Sequence, residues 1–123
     1  MSDREGSSRG GKFGVLGVLL NYGLARIAPA SSTRRLVRRL SSPNEETAMA
    51  AYMALVKLGP GVRPSLVDVA GRGQHTADIL QIIADQGDPT AIADVEEFLD
   101  SQDPKVAETA RESIRTLRQA GND

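Results

Sequence analysis

At 123 residues the chain has room for one domain with a modest core, not for two independent ones. It has no cysteine, which excludes disulfides, thiolate metal sites and thiol nucleophiles and fits a reducing, cytoplasmic setting. A formal net charge of −1 conceals a basic first third: residues 1–42 carry eight basic and two acidic side chains, residues 43–123 seven and fourteen.

Residues 1–12, MSDREGSSRGGK, combine Gly, Ser and charge without an apolar period and are expected to form a disordered tail. An apolar N-terminal helix is expected over 13–29, because residues 13–25 carry no charge and Pro29 closes the segment. Apolar groups surround this helix except along a narrow stripe of Gly14, Gly17 and Asn21. From 30 to 120 the pattern is regular. Leu36, Val37 and Leu40 form one side of a short helix that Ser31, Ser32 or Thr33 caps and Ser42-Pro43 ends. Ala48, Ala51, Tyr52, Leu55 and Leu58 recur at helical spacing up to Gly59-Pro60-Gly61. Pro64 suits the first turn of a helix bearing Leu66, Val67 and Val69, which Gly71 and Gly73 break. A helix starting near Gln74 carries Ile79, Leu80, Ile82 and Ile83, an apolar face broad enough for burial on more than one side, and stops at Gly87. Asp88-Pro89 opens the next helix, with Ile92, Val95, Phe98 and Leu99 on its apolar side. Asp103-Pro104 opens the last, where Ala107, Ala110, Ile114 and Leu117 share a face. No strand-like alternation competes, so the fold class is all-α.

The helices repeat. Thr47, Ala51, Leu55 and Leu58-Gly59 align with His75, Ile79, Ile83 and Gln86-Gly87, then with Val106, Ala110, Ile114 and Leu117-Arg118, at offsets of 28 and 31 residues. With Gly87-Asp88-Pro89-Thr90-Ala91-Ile92 and Asp103-Pro104-Lys105-Val106, the pattern resembles the HEAT-like repeats typified by the phycobilisome lyase group. It departs from them at Ala48 and Ala107, where the family carries Arg, and at Arg118, where it carries Gly. The resemblance covers roughly three quarters of the chain and implies a short right-handed α-solenoid of about three HEAT-like hairpins with an extra N-terminal helix. It implies no catalytic residue, because the shared positions are packing positions.

No HExxH, CxxC, Walker-type loop or GxSxG occurs, and no cofactor or metal site is expected. His75, the single histidine, reads as a partly buried helix-end residue. Glu96 with Glu97, and Asp94 with Asp100, read as solvated helix faces, and Glu108, Arg111, Glu112 and Arg115 as surface ion pairs. Arg34, Arg35, Arg38 and Arg39 form a patch suited to an anionic partner. Nucleic acid is disfavoured, since no aromatic interleaves these arginines and the rest of the chain is acidic.

The leading expectation is therefore a non-enzymatic protein-binding scaffold or adaptor. Its contact surface is the exposed, concave side of the second helices: Glu45, Glu46, Met49, Met53, Asp78, Gln81, Asp85, Glu108 and Glu112, an acidic, Met-containing strip for a basic or amphipathic segment. Helix 13–29 fits several roles: a cap on the repeats, a docking element for a partner or for a homodimer through 13–28, or an element lying in a membrane interface. The last role makes the chain a peripheral membrane adaptor, with the arginines holding headgroups. The segment is too short to span a bilayer, which takes ~20 residues. A leader peptide cut at Ala28-Pro29-Ala30 is opposed by Asp3, Glu5 and the Gly and Asn interruptions. A third alternative is a subunit of a lyase-like heteromeric enzyme.

Overall fold

The computed structural model describes residues 14–24 and 29–122, and every regular element among them is helical. The expected tail at 1–12 and the ends of the first helix lie outside the described residues. The chain divides into two compact units, Met1–Ser65 and Leu66–Asp123.

The first unit contains α1 (14–24), α2 (Pro29–Arg39), α3 (Glu45–Leu58) and a 3-10 turn, Gly59–Val62. Helix α2 begins two residues before the expected cap at Ser31. A proline in the first helical position loses no hydrogen bond and already has helical φ, so Pro29 starts α2 rather than only ending α1. Ser32 and Thr33 are consequently buried inside the helix instead of capping it. Asn44 caps α3, its Oδ1 accepting from the Thr47 amide at 3.0 Å. At the other end Gly59 takes a positive φ of 70° and its N–H donates to the Val56 carbonyl. Helices α2 and α3 pack on each other, and Leu36 and Val37 of α2 and Ala51 and Leu55 of α3 are all essentially inaccessible.

The division between the units falls inside α4 (Arg63–Gly71). The second unit goes on through α5 (Thr76–Gln86), a 3-10 turn Pro89–Ala91, α6 (Ile92–Glu96) and α7 (Pro104–Asn122). Thr76 Oγ1 donates to the Ala70 carbonyl at 3.0 Å, closing the loop between α4 and α5. Helix α5 buries Ile79, Leu80, Ile82, Ile83 and Ala84, the broad face its sequence anticipates. It packs on α7, and the buried Ser113 hydroxyl donates to the Leu80 carbonyl at 3.2 Å between the two helices. Each fully buried Leu or Ile in this layer contributes about 1.5–3 kcal/mol.

Helix α6 is shorter than its sequence suggests. Asp88 Oδ1 accepts from the Thr90 amide at 3.0 Å and the Thr90 hydroxyl at 2.8 Å, winding the entry into a 3-10 turn. After Glu96 the chain tightens again, with the Phe98 amide donating to Val95 and the Leu99 amide to Glu96, bonds three residues long. Phe98 and Leu99 therefore sit half-buried in a turn rather than on a helix face.

Candidate interaction surfaces

Helix α1 is oriented by its small residues. Gly14, Val18 and Asn21 face the rest of the first unit and are buried. At Gly14 an added Cβ would overlap the Thr47 side chain of α3, and at Gly17 the Arg39 guanidinium of α2, so the glycines permit the helix to lie close to both. Asn21 Nδ2 satisfies itself on the Gly17 carbonyl at 2.9 Å. The stripe that interrupts the apolar sequence is thus the inward side. As a result Leu16, Leu19, Leu20 and Leu24 point outward, with Leu19 61% and Leu20 66% exposed. Met49 and Met53, the other large exposed apolar residues among those described, stand one turn apart on α3 of the same unit.

The arginine cluster is split by its helix. Arg34, Arg35 and Arg38 are exposed, whereas Arg39 is half-buried against Gly17. Arg39, near the end of α2, thus lies against α1 at Gly17. Arg35, one turn before Arg39, lies on the same edge of α2 and is exposed. Arg38 and Arg39 also occupy the last turn of α2, where the helix dipole favours cations.

All nine residues of the expected acidic strip are exposed. Glu45, Glu46, Met49 and Met53 lie in the first unit on the face of α3 opposite Thr47, Ala51 and Leu55. Asp78, Gln81 and Asp85 share a face of α5 in the second unit, where Gln81 Nε2 donates to Asp85 Oδ1 at 3.4 Å, and Glu108 and Glu112 are one turn apart on α7. His75 is half-buried at the start of α5, with a left-handed φ of 51° rare for a residue bearing a Cβ. Among the described residues no group of three or more His, Cys, Asp or Glu side chains could hold a metal ion, and no helix is long and apolar enough to cross a membrane.

One surface was not anticipated. A groove of about 500 Å³ runs between α7 and the end of α6. Arg111, Arg115 and Arg118 line it at intervals of four and three residues, together with Ile114, Leu99 and Glu96. Arg111 and Arg115, expected in surface ion pairs with Glu108 and Glu112, line this groove instead. The spacing was visible in the sequence, but the facing wall from the turn after α6 was not. Comparison with known protein families, with curated proteins and with solved structures finds no match to this chain.

Proposed function

We propose that the chain is a non-enzymatic interaction adaptor built on three HEAT-like hairpins. Support for the repeat comes from its aligned positions: Ala51 and Leu55, Ile79 and Ile83, and Ala110 and Ile114 are all buried. Gly59 and Gly87, equivalent in the alignment, both end their helices at positive φ, 70° and 73°. The observation that carries the interaction role is the outward leucine face of α1. Four large apolar side chains on one short helix form a contiguous patch of the kind that marks a docking surface. An amphipathic protein helix is the fitting partner, laid against these leucines as in helix-and-groove recognition. The test compares affinity capture and light-scattering mass for the full chain and for Leu16→Ser/Leu20→Ser. Loss of a defined partner, or of a self-associated form, in the variant upholds the reading; identical partners and mass in both overturn it.

A second reading is an anionic membrane surface. It is favoured by Arg39, which lies against the leucine-bearing helix at Gly17, with the exposed Arg34, Arg35 and Arg38 nearby on α2. Flotation separates the two: recovery of the full chain with phosphatidylserine-containing vesicles, abolished by Leu16→Ser/Leu20→Ser, selects the membrane.

A further inference from the structure

We propose that the groove along α7 binds an acidic peptide segment of a protein partner, held by Arg111, Arg115 and Arg118. Residues 66–123 are strongly acidic, with five basic against twelve acidic side chains, yet three of those five basic groups line this one concavity. Positions three and four apart on a helix lie about 5–6 Å from one another. Alternate side chains of an extended peptide share a face at about 6.6–6.8 Å, so carboxylates two residues apart can engage successive guanidiniums, each with a planar fork that matches a carboxylate in two parallel hydrogen bonds.

The floor decides between anionic ligands. Ile114, buried, and Leu99, half-buried, line the groove beside the arginines, which suits an apolar side chain between two acidic ones. Glu96 lines the groove as an acceptor, and a peptide has backbone N–H groups to offer it, whereas a phosphodiester has none. No aromatic side chain lines the groove to stack a base. From Arg111 to Asn122 the wall extends about 16 Å, the reach of roughly five extended residues.

A display library of random peptides about twelve residues long, selected on the full-length chain, tests the assignment. Peptides that bind the wild type and are lost on Arg111→Glu/Arg115→Glu are expected to carry Asp or Glu at alternate positions beside an apolar residue. Their synthetic forms should bind the double variant at least tenfold more weakly while its helicity is unchanged. If the variant misfolds, the arginine Nε–H resonances of the unaltered chain provide the readout, and they should shift when the peptide is added. The proposal is overturned if no acidic peptides are enriched, or if their affinity survives both reversals. It also fails if those resonances stay still, or if inorganic phosphate or a thymidine oligonucleotide displaces the peptide at equal concentration.

Discussion

Thr33 is fully buried in α2, and its hydroxyl has no hydrogen-bond partner. A buried, unsatisfied hydroxyl costs roughly 1–3 kcal/mol, and valine has the same shape without it. Thr33→Val is therefore expected to raise unfolding free energy by about 1 kcal/mol, read as a higher urea midpoint at constant slope; a lower midpoint means that the hydroxyl is used. In the sequence Thr33 reads as a helix cap, because Ser and Thr before an apolar run are the ordinary capping signal. The start of α2 at Pro29 moved it inside. Its neighbour in role, Asn44, was not singled out as a cap, although its residue type and position before two glutamates carry the signal. His75 shows the same limit: its half-burial was legible from the alignment, while its positive φ depends on how the loop from Arg72 to Gln74 closes.

The glycines of α1 do different jobs despite their shared stripe. A Cβ at Gly14 meets Thr47, which is buried and bonded to Asn44, so it has little room to move. At Gly17 it meets the end of a long arginine side chain that can swing away. Gly14→Ala is expected to cost about 1–3 kcal/mol by overpacking. Gly17→Ala should be close to neutral, because the ~0.5–1 kcal/mol gained by replacing a helical glycine offsets the displaced arginine. Thermal denaturation of both variants, with amide exchange across α1, checks this contrast; equal losses defeat it. The two faces of α1 should separate in the same way. Val18→Ser is expected to destabilise by about 2 kcal/mol, since Val18 is almost wholly buried, while Leu20→Ser should change stability by less than about 0.5 kcal/mol. If Leu20→Ser proves the more damaging, the leucine face is not exposed in solution.

Across the molecule, charge is segregated along the chain, and the two surfaces of interest answer to it differently. The leucine face belongs to the basic N-terminal third and the arginine groove to the acidic remainder. If anionic vesicles bind the full chain, Arg34→Glu/Arg35→Glu/Arg38→Glu should weaken that binding at least tenfold, and raising salt from about 50 to 300 mM should do likewise, since each basic group near a charged surface contributes about 1 kcal/mol. Cosedimentation measures both, and binding indifferent to salt and to the reversals leaves only the apolar contact. Helicity and the places of most helices are legible in the residues alone, because apolar periodicity, glycine stops and Asp-Pro starts act over a few residues. The shortening of α6 escaped it, since competing 3-10 bonds around Asp88 and Phe98 outweighed an apolar spacing compatible with a longer helix. Only the tertiary structure decided which side of α1 turns inward. Hydrophobicity alone would bury the leucines, but close approach to α2 and α3 requires the side bearing Gly14 and Gly17, and the leucines are left outside. The groove likewise exists only because the turn after α6 sets Leu99 and Glu96 opposite arginines that sequence spacing alone assigns to an open, solvated face.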